Sequence, residues 1–104
     1  MAQFDVYANP LLTARRAYPF VVAMQSDIAN FANEQIVAPL APKTAVPNIA
    51  GRLAPTVVVD ELEHIVLIPR LTTIRSRDLA HSVASIASSR RDLLAAIDYL
   101  FFGV

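Results

Sequence analysis

The stretch from Ser88 to Val104 constrains this chain more than any other part of it. Ser89 is followed three residues later by Asp92, a capping-box-like opening that offers a hydroxyl to free amide groups and a carboxylate to the positive end of a helix. Leu93, Ile97, Leu100 and Phe101 then recur at three- and four-residue spacing, which predicts one shared helix face. No glycine or proline intervenes before Gly103, where the helix is expected to end. The tip reads Tyr-Leu-Phe-Phe-Gly-Val, apolar where chain ends are usually frayed and polar. Two readings stay open: the tip tucks into its own domain, or part of it is presented to a partner, since aromatics at an exposed helix end are common binding anchors.

Everything before this helix reads as short strands and turns. Gln3 to Asn9 alternates, with Phe4, Val6 and Ala8 on one side and Gln3, Asp5 and Tyr7 on the other, as in a half-buried strand. Asn9-Pro10 breaks it, and Leu11 to Ala17 is a loop carrying Arg15 and Arg16. Tyr18 to Met24 is a second strand, closed by the turn-forming Gln25-Ser26-Asp27. Ile28 and Phe31 are apolar residues in an irregular segment before a strand over roughly Glu34 to Leu40. Pro39, Pro42, Pro47 and Pro55 then predict a long excursion over Ala41 to Arg52 with only short extended pieces. Thr56 to Val59 and Glu63 to Ile68 form a hairpin about Asp60-Glu61, ended by Pro69. Leu71 to Arg77 is a further strand. Asp78 to Ala87 has helical spacing at Leu79, Val83 and Ile86.

A chain of 104 residues suffices for a single domain spanning 1–104. With 55% hydrophobic and only 17% charged residues, it is apolar for its size and favours a subunit interface over a lone monomer. The absence of cysteine excludes disulfides and thiolate metal sites and fits a reducing, cytoplasmic setting. Nine basic and nine acidic residues cancel, so no overall basic field calls for nucleic acid, although Arg15-Arg16 and Arg90-Arg91 could make local patches. The opening reads as a strand with Asp5 inside it, so no secretory leader is expected, and no apolar run is long enough to cross a bilayer.

Chemistry-bearing constellations are missing. His64 and His81 each lack a second ligand at metal spacing, and Gly51 and Gly103 stand too far apart for a phosphate loop. No Ser-His-Asp arrangement can be read out. The residues therefore argue for a protein that acts by binding, with no catalytic residue, cofactor or metal.

The ending Ala-Ala-Ile-Asp-Tyr-Leu-Phe-Phe-Gly-Val resembles the C-terminus of CcdB-type toxins, which typically end in Ala-Ile-Asn-Leu-Met-Phe-Trp-Gly-Ile. Four other blocks are similar to the family in the same order and with near-family spacing: Gln3 to Tyr7, Met24 to Ile28, Ile36 to Leu40 and the Pro-led Pro55 to Val59. The resemblance implies a mainly β fold, an SH3-like barrel with an additional small β excursion and one C-terminal helix. It favours a strand and turn over a helix for Asp78 to Ala87.

The resemblance also implies a homodimer that binds the A subunit of DNA gyrase, traps the DNA-cleaved complex, and is neutralised by a cognate CcdA-type antitoxin. The gyrase-facing residues carried over are Ile28, Asp98, Phe102, Gly103 and Val104. Phe102 stands where the family has Trp, Asp98 where it often has Asn, and Ala29 where Ile is common. Two alternatives accompany this reading. One is a CcdB-like protein without gyrase activity that only engages an antitoxin-like partner. The other is an endoribonuclease on the same barrel, as in MazF-type toxins, using Arg70, Thr73 and Arg75.

Overall fold

A computed structural model describes residues 2–29, 32–46 and 51–103. Seven strands form one antiparallel sheet: β1 (Asp5–Ala8), β2 (Phe20–Ala23), β3 (Glu34–Pro42), β4 (Thr56–Val59), β5 (Leu62–Val66), β6 (Thr72–Arg75) and β7 (Ala84–Ser85). Their order is β4-β5-β3-β2-β1-β7, with β6 paired to β3 ahead of β5. The sheet curls into a nearly closed barrel of the SH3-like kind. The β4–β5 hairpin is the added excursion, and helix α1 (Arg90–Phe102) follows at the C-terminal end.

β3 organises the barrel, and its length corrects the sequence reading. The strand, expected to end near Leu40, continues through Ala41 and Pro42, where the sequence predicts that the excursion begins. Alternate residues of β3 bond to opposite neighbours. Met24 N donates to Ile36 O at 2.9 Å on the β2 side, and Leu67 N donates to Pro39 O at 2.9 Å on the other. Pro39 thus turns its donorless nitrogen toward the place where β3 changes partner, from β6 at 34–37 to β5 at 40–42. Pro42 faces the β2 side beyond the last pair of that ladder, Phe20 with Leu40. Neither position needed an N–H, so neither proline breaks the strand.

The main core joins Phe4, Val6, Val22, Leu40, Ile68 and Leu93 among its buried members. A second cluster on the other face of β1 to β3 contains Tyr7, Val21, Ala23, Val37 and Leu79. Tyr7 is therefore buried as well, against the half-buried strand that the alternation predicts. Leu79, in the chain segment leading to β7, covers that face. Burial holds the Tyr7 hydroxyl above its usual range, and the nearby Asp5 carboxylate adds to this. His64 is also buried; its Nδ1 lies 2.9 Å from Leu62 O and its ring meets Phe20 edge-on at 5.4 Å. Its place is a packed strand position.

The hairpin turn falls on Asp60 and Glu61 as expected, with Val59 opposite Leu62. Both turn residues are left-handed, at φ 52° and 64°. A two-residue hairpin requires this handedness to match the twist of its strands, but side chains other than Gly and Asn adopt it at a cost. Glu61→Gly is expected to stabilise the protein by about 0.5–1 kcal/mol, read as a higher urea midpoint at unchanged slope. The strand after the turn ends two residues earlier than predicted, because Ile68–Arg70 forms a 3-10 turn with Pro69 in it. Val58 is exposed, so β4 buries one face only, despite its run of three valines. From Asp78 to Ala87 the structure has a turn and the short β7, paired Asp5 with Ser85 and Val6 with Ala84. The helical spacing there is a coincidence of residues that go to different places: Leu79 to the second cluster, Ile86 to the main core, Val83 to solvent.

Candidate functional site

The helix occupies thirteen residues and stops where the sequence predicts. Gly103 is left-handed at φ 73°, and its N–H donates to Tyr99 O at 3.0 Å. Its start departs from the capping-box expectation. Ser89 holds the N-cap position but makes no side-chain cap bond, because a 3-10 turn at Ala87–Ser89 leads straight into the helix. At φ −95° and ψ 14°, Ser89 is nearly helical, not in the extended conformation that aims a capping hydroxyl at the first amides.

Leu93 and Ala96 are fully buried, and Ile97 and Leu100 pack beside them on the core. Phe101, expected with this face, is 63% exposed. It lies with Leu94 and Asp98 at i, i+4, i+7 spacing on the outward face, and that spacing is legible in the sequence once the buried face is assigned. Phe102 is 74% exposed and Gly103 is exposed, so of the described tip Leu100 packs on the core while Phe101 to Gly103 stay outside it. Val104 lies outside the described residues.

Ile28 is 93% exposed, on a surface turn and not packed back on the core. Phe31, the other apolar residue of that segment, lies outside the described residues. The turn that carries Ile28 is built from the polar residues before it. Ser26 O accepts from Ala29 N at 3.0 Å, Ser26 Oγ accepts from Ile28 N at 3.4 Å, and the Gln25 amide bridges Ala29 O and Ile36 N. Asp27 Oδ1 accepts from Gln3 N at 2.5 Å, and Gln3 Nε2 donates to Met24 O at 3.0 Å. Arg90 Nη1 donates to Gln3 Oε1 at 3.1 Å. This relay ties the Ile28 turn to the first turn of α1. Phe102 stands at the opposite end, about 18 Å further along the helix axis at the usual rise per residue.

Of the carried-over residues that are described, Ile28, Asp98, Phe102 and Gly103 are all exposed. Asp98, Phe102 and Gly103 share the last turns of one helix, and the hydrogen bonds around Ile28 lead to its base. Gln3, Arg90 and Arg52 were missed by sequence reasoning. Arg52 sets its guanidinium 4.0 Å from the centre of the Tyr99 ring and links the segment before β4 to the helix. No local pattern announces these pairs, because each joins residues dozens of positions apart.

Of the residues weighed for a ribonuclease, Thr73 and Arg75 line one cleft with Arg15, while Arg70 is not among its lining residues. Glu34 and Asp78 line the same cleft. Among the described residues, no group of three His, Cys, Asp or Glu side chains could hold a metal ion, and no helix is long and apolar enough to cross a membrane.

The model of the CcdB protein family matches residues 3–103 of the chain. No curated protein matches it. The matched span includes every strand and the whole helix, and the barrel closed by one C-terminal helix is the architecture that the resemblance implies. The chain belongs to the CcdB family, the toxin side of toxin–antitoxin pairs.

Proposed function

We propose that this protein is a gyrase-directed toxin that acts by binding, without a catalytic residue, and is neutralised in the cytoplasm by a cognate CcdA-type antitoxin. The observation that carries this reading is the helix tip. Leu93, Ala96, Ile97 and Leu100 hold the helix on the barrel, leaving Asp98, Phe102 and Gly103 free to meet a partner. An exposed aromatic at a capped helix end is unlike the packed end of a core helix, and it has the form of a binding anchor. Ile28, Asp98, Phe102, Gly103 and Val104 are the residues proposed to meet the gyrase A subunit. Binding one open conformer of gyrase better than the others would trap the DNA-cleaved complex with no chemistry from the toxin.

The same reading makes the protein a two-fold homodimer. Leu94 and Phe101 expose apolar surface beside Asp98, on a chain of only 11.3 kDa. A two-fold contact would cover this surface and present two tips to a two-fold target. Sedimentation at micromolar concentration is expected to show a species of twice the chain mass; a stable monomer would overturn the dimer. Incubation with gyrase and supercoiled plasmid, followed by detergent and protease, is expected to release linear DNA. Neither linear DNA nor binding to the isolated A subunit would leave the gyrase assignment without support, and growth inhibition by other means would then point to another target.

A further inference from the structure

Asp92, Ala95, Tyr99 and Phe102 recur at three- and four-residue spacing and form one exposed stripe of α1. The stripe is separate from the buried face of Leu93 and Ala96, and it ends on the aromatic proposed as the anchor. The segment before β4 lies along its first half. Gly51, Arg52, Pro55 and Thr56 line a cleft of about 550 Å³ together with Asp92 and Ala95. From there Arg52 reaches further along the stripe and sets its guanidinium 4.0 Å from the centre of the Tyr99 ring. Among the described residues the ion pairs are Lys43 with Glu63, and Arg75 and Arg77 with Asp78. The Arg52 charge therefore meets the face of a ring rather than a described carboxylate.

The turn that carries Arg52 is fixed. Gly51 N donates to Ala54 O at 3.4 Å and Ala54 N to Gly51 O at 3.0 Å, with Arg52 and Leu53 between them. Ala54 is buried in one cluster with Ile65 and Leu67, and Val66 N donates to Pro55 O at 2.9 Å. The turn is thus anchored on β5 and the core beneath it.

The residue that Arg52 covers is also the one that stops the helix, since Tyr99 O accepts from Gly103 N at 3.0 Å. Phe101 and Phe102 are 63% and 74% exposed, so their own side chains bring little packing to the last turn. Helix ends without packing fray, and an anchor that must be ordered on binding loses affinity to the cost of ordering it. A cation over a ring supplies the missing tie from outside the helix.

We infer that Arg52 is a positioning residue for the helix tip: its guanidinium, set over Tyr99, holds the last turn of α1 wound so that Phe102 meets its target already ordered. The inference rests on the gyrase reading for what the tip binds, whereas the order of the tip is measured with no partner present.

Amide nitrogen relaxation on the whole chain reads that order. In the wild type the Phe101 and Phe102 amides are expected to have order parameters close to the ~0.85 of rigid backbone. Arg52→Gln and Tyr99→Leu are each expected to bring them to about 0.6 or below, with the amides of Leu93 to Ile97 unchanged. Arg52→Lys keeps a cation and Tyr99→Phe keeps a ring, so each should retain most of the order. The two losses should not add in the double variant, because both remove the same contact. Affinity for the isolated gyrase A subunit is expected to fall about threefold in Arg52→Gln and to recover in Arg52→Lys. Unchanged tip order in Arg52→Gln overturns the proposal. So does a full further loss when Arg52→Gln is added to Tyr99→Leu, since the charge would then act without the ring. Loss of order along the whole helix makes Arg52 part of the fold, and weaker gyrase binding at unchanged order makes it a direct contact; either result overturns the positioning role. Absence of gyrase binding by the wild type defeats the gyrase reading alone, and the relaxation measurements still decide this one.

Discussion

Deleting Phe102, Gly103 and Val104 is expected to remove gyrase binding and growth inhibition while shifting the melting temperature by only a few degrees. The asymmetry follows from where the buried surface lies. Leu93 and Ala96 are fully enclosed, with Ile97 and Leu100 beside them, so the helix keeps its seat without its last residues. Phe102 is largely in solvent, and Gly103 contributes one capping bond to Tyr99 O. An exposed aromatic and a frayed cap cost a fold little, whereas losing an aromatic anchor costs a complex about 2 kcal/mol or more, some thirtyfold in affinity. Calorimetry against the gyrase A subunit, thermal melting and growth curves on the same two chains check it. Unfolding of the truncated chain would mean that the tip is structural after all. Undiminished growth inhibition would mean that the tip is not the contact surface. Phe102→Trp runs the experiment in reverse: a larger ring with stronger attraction for a cation should raise affinity and leave the melting temperature unchanged.

Leu93→Ala is expected to be among the most destabilising single truncations in the helix, by about 3 kcal/mol, because a fully buried leucine leaves a cavity that a barrel cannot close around. For a domain of this size that corresponds to a fall in melting temperature on the order of 15 °C. The neighbouring Leu94 is the internal control. It is exposed on the flank of the helix about 100° round from Leu93, so Leu94→Ala should change the chain's own stability by no more than about 0.5 kcal/mol. If Leu94 lies in a subunit contact, its loss should instead appear as weaker self-association. Thermal melts at two protein concentrations separate the two effects, since only the dimer's midpoint moves with concentration. Equal destabilisation by the two substitutions would contradict the assignment of the helix faces.

Much of this arrangement was legible locally. The helix body and its glycine stop follow from spacing, the absence of internal Gly or Pro, and the left-handed freedom of Gly103. The bounds of β4 and the Asp60-Glu61 turn follow from a short apolar run ended by turn-forming residues. The polar Gln25-Ser26-Asp27 run announces a turn, and the side chains of that run do build it. The resemblance to the family, carried by five blocks in order, pointed to the barrel more firmly than propensity could, and it settled Asp78 to Ala87 against their helical spacing.

What composition and spacing alone determined is most of the extended segments, the C-terminal helix, and where the chain turns around Gln25–Asp27 and Asp60-Glu61. Those properties rest on interactions within a few residues. The tertiary structure decided the rest. It let β3 run through Pro39 and Pro42, because their missing donors fall where a partner strand changes or ends. It buried Tyr7 under Leu79, seventy-two positions away in sequence, and turned Phe101 outward while Ala96 went in. It tied the Ile28 turn to the base of the helix through Gln3 and Arg90. Each of these depends on which distant segment covers a face or pairs with an edge, and residue-to-residue periodicity holds no record of that.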